Sequence, residues 1–408
     1  MVSLIVPAWN AGAGIEAALE SALGDPAAPV LECLVIDDGS ADDTAEVVSA
    51  VAARDPRVRL IRAPANEGVS AARNRGLAAA RGEWLAFLDA DDRLRPGAVR
   101  DLLAAATATD ALAVVGQRTW TDGRRHWLGA TYDIPDIRRP GPASLVERPG
   151  LVYYASATGK LFHRSLAQGL VFEGRVLGDQ PWTLRALIRA GTRIEVIGEV
   201  VYDWVRPAGP SSATITAAKR GSARLAAEAA RVAIRAVAEV DAEAAERLVP
   251  ADRERVVAAY VERIVRADLA GPLVRAIATV DEHADELLGA IEAFLAAAPA
   301  GSVDRSAAVA TWILRPPVER WLGLRGTARL AAWRLITETV RDHPRLAGLV
   351  GPGVARFGLS IARRWQGAPA RRVAGALFVL DWPFGLVHRW RRRDARRDRP
   401  ISRPAVRS

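Results

Sequence analysis

The chain has 408 residues, half of them apolar and a quarter charged, with a formal net charge of +9. That length and apolar content exclude a disordered protein and allow two or three domains around a sizeable core. Cys33 is the only cysteine, which excludes an intrachain disulfide and a cysteine-based zinc site and fits a reducing compartment.

The sequence runs directly into the apolar Val2-Ser-Leu-Ile-Val6, so no secretory leader is expected. No stretch reaches the roughly 18 uninterrupted apolar residues of a membrane span. Arginine outnumbers lysine 54 to 2, a bias that argues against reading each Arg as a phosphate ligand. Nine Arg against Asp394 and Asp398 give the stretch Arg389–Ser408 a charge of +7, which suits an anionic surface or a merely solvated tail.

In chain order, residues 2–7 read as a strand stopping at Pro7, followed by a loop and a helix from about Gly14 to Leu23. Leu31–Ile36 is a second strand ending in Asp37-Asp38-Gly39-Ser40, and Asp42 or Asp43 can cap a helix to about Arg54. Val58–Ile61 is a third strand, and Ser70 can cap the helix running to Ala80. Trp84–Leu88 is a buried strand that stops abruptly at Asp89, Asp91 and Asp92. Carboxylates clustered where a strand leaves a sheet either hold a hard cation such as Mg²⁺ or Mn²⁺ or form a solvated turn, with Asp92 capping the helix that starts near Pro96. Both readings stand on this stretch alone.

Strands alternating with helices of this length predict a parallel sheet with helices on both faces, and ligands in such sheets sit at the carboxyl ends of the strands. Asn10, Asp37, Asp38, Asp89 and Asp91 all fall at or just beyond such ends. From Ala111 to Val205 the pattern loosens into short apolar runs at 112–115, 159–162 and 193–205, and Asp179 stands just before a helix over 181–190, where it can act as a cap. Beyond Pro210 the composition turns to Ala, Glu, Arg and Leu, predicting helices over 214–247, 251–269, 272–297 and 325–341. The apolar stretch 373–387, bracketed by arginines and close to six of the twelve Trp, suits a buried helix or an interfacial membrane surface.

Four segments in register carry a family resemblance: Val2-Ser-Leu-Ile-Val-Pro-Ala-Trp-Asn10, Val35-Ile-Asp-Asp-Gly-Ser-Ala-Asp-Asp-Thr44, Asn66-Glu-Gly-Val-Ser-Ala-Ala-Arg-Asn-Arg-Gly76 and Leu88-Asp-Ala-Asp-Asp92. Over about residues 1–215 the chain resembles the family 2 glycosyltransferases of GT-A fold. The resemblance implies that Pro7, Ala8 and Trp9 pack on the nucleotide base and ribose, that Asp38 takes the uracil N–H, and that Arg73 lies near the base and diphosphate. It places Asp89 near the ribose or sugar and Asp91 on a divalent cation, Mn²⁺ or Mg²⁺, with Asp89 as the second ligand. Asp179 falls at the general base of inverting members, although Gly178 stands where many relatives have Glu. Arg206, in Tyr202-Asp-Trp-Val-Arg206 before Ser211-Ser212, matches a closing loop that reaches the diphosphate.

Two rival readings compete. Gly12-Ala-Gly-Ile-Glu-Ala17 with Asp37 twenty residues further on matches the G-x-G-x-x-A fingerprint of an NAD-dependent oxidoreductase, but Pro7–Ala11 separates these glycines from the strand. A non-catalytic GT-A scaffold is the other. His126 and His163 are scattered and receive no role.

The expected architecture is α/β: a Rossmann-like GT-A catalytic domain over 1–215 with a mostly parallel sheet, a helical domain over 216–345, and an apolar, basic segment over 346–408. The expected activity is metal-dependent, inverting transfer of a sugar from a nucleotide-sugar, most simply a UDP-sugar, to a hydroxyl of a cell-surface glycan or lipid-linked precursor. The expected location is the cytoplasm, with the C-terminal segment a candidate for peripheral contact with the inner membrane face. Homo-oligomerisation is compatible with the helical region, and no nucleic-acid partner is expected.

Overall fold

A computed structural model of the protein describes residues 1–25, 28–128, 134–206, 222–269 and 282–299, together with 271, 272 and 302. The strands are β1 (Val2–Ala8), β2 (Val30–Asp37), β3 (Val58–Arg62), β4 (Trp84–Phe87), β5 (Arg93–Leu94), β6 (Ala113–Thr121), β7 (His126–Trp127), β8 (Gly141–Ala143), β9 (Lys160–His163) and β10 (Ile194–Val205). The helices are α1 (Gly12–Leu23), α2 (Thr44–Arg54), α3 (Val69–Ala79), α4 (Ala98–Thr109), the single turn α5 (Pro135–Arg138), α6 (Asp179–Ala190), α7 (Ala223–Arg247), α8 (Pro250–Arg263) and α9 (Ala284–Ala297).

The strands form one ten-stranded sheet in the order β3-β2-β1-β4-β9-β6-β10-β5, with β7 beside β6 and β8 beside β10. β3, β2, β1 and β4 are mutually parallel, so their carboxyl ends meet along one edge. β9 runs antiparallel between β4 and β6, and β10 returns parallel to β6. The sheet is therefore mixed in its second half, where the sequence becomes irregular.

Alternation along the strands sends side chains to two apolar layers. Ile5, Leu85 and Phe87 join the layer containing α3 and α6, whereas Leu4, Val6, Trp84 and Ala86 face α1, α2 and α4. Helices α7, α8 and α9 extend the first layer: Ala226, Val240, Tyr260, Val261 and Phe294 belong to the same buried cluster as Phe87, Phe172 and Trp182. Trp182 anchors it, stacked on Phe172 at 4.6 Å between ring centroids. The helical region thus shares a core with the sheet.

Several local expectations are corrected. Ser70 does not cap α3; Gly68, at φ +96°, holds the N-cap position and the Ser70 hydroxyl donates to the Gly174 carbonyl at 2.6 Å. Asp92 caps nothing, since α4 begins only at Ala98, and its carboxylate instead accepts from β10. Asp43 holds the N-cap position of α2 without a side-chain bond, and Asp42 accepts the Thr44 N–H. Asp179 is the first residue of α6, not its cap. The loop at Ser211-Ser212, the stretch predicted helical over 325–341 and the whole of 346–408 lie outside the described residues. Among the described residues no helix is long and apolar enough to cross a membrane.

Candidate active site

The edge where β1, β2 and β4 end gathers most of the expected residues. Pro7 and Ala8 are buried at the end of β1, and Trp9 beyond them is 56% exposed. Asn10 adopts φ +47°, a conformation Asn tolerates better than most residues; its N–H donates to Ser40 Oγ at 2.9 Å and its Oδ1 accepts the Ala41 N–H at 2.9 Å. These bonds tie the loop after β1 to the loop after β2.

The two aspartates ending β2 have separate tasks. Asp37 is fully buried, paired with Arg62 Nε at 3.0 Å and accepting the Ser40 N–H at 2.9 Å. Asp38, also buried, accepts the backbone N–H groups of Glu67 (3.1 Å) and Gly68 (2.6 Å), so it fastens the turn that opens α3. Its predicted contact with a base N–H would have to share oxygens already engaged. The dinucleotide reading fares worse: it needs Asp37 on a ribose, and Asp37 is buried under Arg62.

On α3, buried Arg73 reaches Asp89 Oδ1 through Nη2 at 2.8 Å, and its guanidinium lies 5.6 Å from the Phe172 ring centroid. Burial works against its charge, but Asp89 and Asp179 outweigh burial and hold its pKa above the ordinary value. Its Nε has no partner among the described residues, a buried donor left for a ligand. Asp89 is 31% exposed, so its second oxygen remains accessible.

Asp91 opens to solvent next to Asp89. Crowding by surrounding protein, then the Asp89 charge, push its carboxyl up. Asp92 turns inward: Tyr202 Oη donates to its Oδ2 at 2.7 Å and the Val205 N–H to its Oδ1 at 2.9 Å. The Asp89 N–H donates to the same Tyr202 oxygen at 3.2 Å. Burial first, then Asp89 and Asp91, raise Asp92 well above the usual carboxylate range. Like charges held this close suit a cation on the outer pair. Among the described residues no group of three or more His, Cys, Asp or Glu is arranged to hold a metal.

Asp179 begins α6 half-buried, within electrostatic reach of Arg73 on α3, Lys160 on β9 and Tyr260 on α8. Arg206 stands apart at the end of β10, exposed, with its guanidinium 5.9 Å from the Trp120 ring centroid and its N–H on the Thr121 carbonyl. Sequence reasoning missed Tyr202 and Lys160. Lys160 had a signal: it is one of two lysines in an arginine-rich chain, and it is buried, with Nζ donating to the Ser156 carbonyl at 2.8 Å and lying 3.2 Å from the Tyr154 ring centroid. Burial, then Arg118, hold its amine well below the usual lysine range, opposed by Asp179.

The mixed sheet thus carries a carboxylate pair beyond one strand, an arginine bonded to it and a further carboxylate opening a helix. Residues 3–170 match the family described as Glycosyl transferase family 2. The succinoglycan biosynthesis protein ExoO of Rhizobium meliloti (strain 1021) is 32% identical over 196 residues, 47% of this chain and 52% of that protein. The uncharacterized glycosyltransferase EpsJ of Bacillus subtilis (strain 168) is 30% identical over 215 residues, 50% of this chain and 60% of EpsJ. The chain thus spans about half the length of the curated relatives it matches. Among solved structures, S. aureus TarS 1-349, also solved in complex with UDP-GlcNAc, superposes with a TM-score of 0.60 at 18–19% identity, covering 84% of this chain and 91% of TarS 1-349. At that identity the likeness is one of fold, and it supports the GT-A expectation. Nothing in these relatives supports an oxidoreductase.

Proposed function

We propose that the chain is a metal-dependent, inverting glycosyltransferase that moves a sugar from a UDP-sugar to an acceptor hydroxyl of a cell-surface glycan. The observation that carries this reading is the convergence of Arg73, Asp89, Asp91 and Asp179 at one sheet edge. Trp9, with Pro7 and Ala8 behind it, offers a stacking face for the base. Asp38 holds the 67–68 turn against that face, and Arg73, with a free Nε, points a buried cation at the diphosphate. Asp91 and Asp89 would hold Mn²⁺ or Mg²⁺, whose chemistry is to neutralise the leaving diphosphate. Asp179 takes the proton of the acceptor hydroxyl as its oxygen attacks the anomeric carbon; that bond forms, the bond to the diphosphate oxygen breaks, and configuration inverts. No acid is needed for a diphosphate leaving group. Arg206, directly after β10, would reach the diphosphate from the other side.

The division into a catalytic domain over 1–215, helices over 216–345 and a basic segment over 346–408 belongs to this reading, as does peripheral contact of the basic segment with an anionic membrane face. Failure of the full chain to sediment with anionic liposomes at low salt would remove the membrane contact.

The central test is calorimetric titration with UDP, with and without Mn²⁺, on wild type and Asp91→Ala. Metal-dependent binding that weakens at least tenfold in the variant is expected, the equivalent of about 1.4 kcal/mol. UDP binding indifferent to both metal and Asp91 would overturn the metal assignment, and no binding at all would overturn the donor assignment.

A further inference from the structure

The residue that opens α6 is held by an unusual turn. Leu177 sits at φ +59°, a left-handed conformation that is strained for a branched side chain. Gly178 follows with no room for a side chain: a Cβ there would collide with Ser70 Oγ and come within 2.6 Å of the Glu173 carbonyl oxygen. Strain of this kind persists only where the surroundings over-determine the backbone.

Half of those surroundings belong to α3. Ser70 donates to the Gly174 carbonyl at 2.6 Å, and Asn74 makes a reciprocal pair with Phe172, donating to its carbonyl and accepting its N–H, each at 2.8 Å. The other half belongs to the helical region. Arg235 on α7 pairs with Glu173, but both side chains are largely exposed and such a pair contributes little. The Tyr260 hydroxyl on α8 donates to Gln180 Oε1 at 3.2 Å, and both residues are buried. Burial also pushes the Tyr260 phenol up, so it remains a donor throughout the working pH range. Removing it leaves a buried amide oxygen without a partner, one residue from Asp179.

We propose that the helical region is part of the catalytic apparatus, with Tyr260 a positioning residue: by holding Gln180 it fixes the first turn of α6 and hence the direction Asp179 faces. This rests on Asp179 being the base. It assigns to α7 and α8 a task that an appended acceptor or oligomerisation module would not have, and it places the turn 173–180 between two supports, α3 from the donor side and α8 from behind.

The test uses the full chain and Tyr260→Phe, which removes one oxygen. Arg253→Ala serves as control: Arg253 joins α8 to α7 through Asp241, with two bonds of 2.7 Å, and touches no part of the turn. Hydrogen–deuterium exchange of amides 174–182 should quicken about tenfold in Tyr260→Phe and stay unchanged in Arg253→Ala. Release of UDP from UDP-GlcNAc with Mn²⁺, with water taking the sugar in place of the acceptor hydroxyl, should show kcat about tenfold lower in Tyr260→Phe with KM for the donor unchanged. Unchanged exchange in Tyr260→Phe, equal acceleration in Arg253→Ala, or a wild-type kcat in Tyr260→Phe would each overturn the proposal. A wild type that releases no UDP counts against the donor assignment alone, because the exchange measurement needs no substrate and still decides whether Tyr260 holds the turn.

Discussion

Replacing Glu243 by Gln keeps the shape of the side chain and removes one buried charge on which three arginines converge. Glu243, on α7 and 4% exposed, accepts from Arg189 Nε (2.7 Å) and Nη2 (3.1 Å), Arg185 Nε (3.2 Å) and Arg247 Nε (2.7 Å). Arg185 and Arg189 lie on α6, so this carboxylate joins the helix that begins with Asp179 to the helical region. Burial alone would raise its pKa, but the arginines, Arg189 foremost, bring it from 4.5 down to about 2. A folded value below the unfolded one means stability that is complete above pH 4.5 and is lost as the pH falls towards 2. At 1.36 kcal/mol per unit the linkage amounts to about 3 kcal/mol at neutral pH and roughly half of that at pH 3. Solvent around the half-exposed Arg247 lowers the first figure towards 2 kcal/mol. Urea unfolding of wild type and Glu243→Gln, followed by tryptophan fluorescence at pH 7 and pH 3, measures both. A difference below about 0.5 kcal/mol at pH 7, or one that does not shrink at pH 3, would refute the reasoning.

Two further substitutions probe the turn and the base. Asp179→Asn should lower kcat for transfer by about 10³-fold while leaving the Kd for UDP with Mn²⁺ within about threefold, as fits a group that moves a proton without holding the donor; a parallel loss of UDP affinity would place it on the donor side. Gly178→Ala should lower the unfolding free energy by about 1–3 kcal/mol, because its Cβ meets Ser70 and the Glu173 carbonyl. A variant as stable as wild type would mean the turn yields more easily than its contacts imply.

The parts of the molecule legible in the sequence are those whose cause is local. Val2–Ala8, Val30–Asp37 and Trp84–Phe87 announce themselves as apolar runs that end where polar residues begin, and parallel pairing follows from the helices between them. Asp89 and Asp91 stand out because nothing in an isolated turn would offset their repulsion. What stayed hidden depends on partners far along the chain. Asp92 looked like a cap for the next helix, yet its partners are Tyr202 and Val205 on β10, 110 and 113 residues away. Ser70 looked like an N-cap, but Gly68 at positive φ turns the chain first and frees the hydroxyl for Gly174. Asp38 was legible as a buried carboxylate at a strand end, while its backbone partners at Glu67 and Gly68 were not. Glu243 and Tyr260 lie in helices whose periodicity fixes a buried face and says nothing of what that face touches.

The placement of β9 bears on how the chain is made. β4 pairs with β1 as soon as residues 2–87 exist, but its other flank is covered only when Lys160–His163 is inserted antiparallel against it. Until then a nascent chain carries an apolar strand with a row of unsatisfied N–H and C=O groups, the template from which edge-to-edge aggregation starts. β9 must also slot between β4 and β6, so both neighbours wait for it, and such non-local closure slows folding. A fragment ending before Lys160 would leave the flank of Trp84–Phe87 unpaired and would also lack Phe172 and Trp182 from the core beneath it.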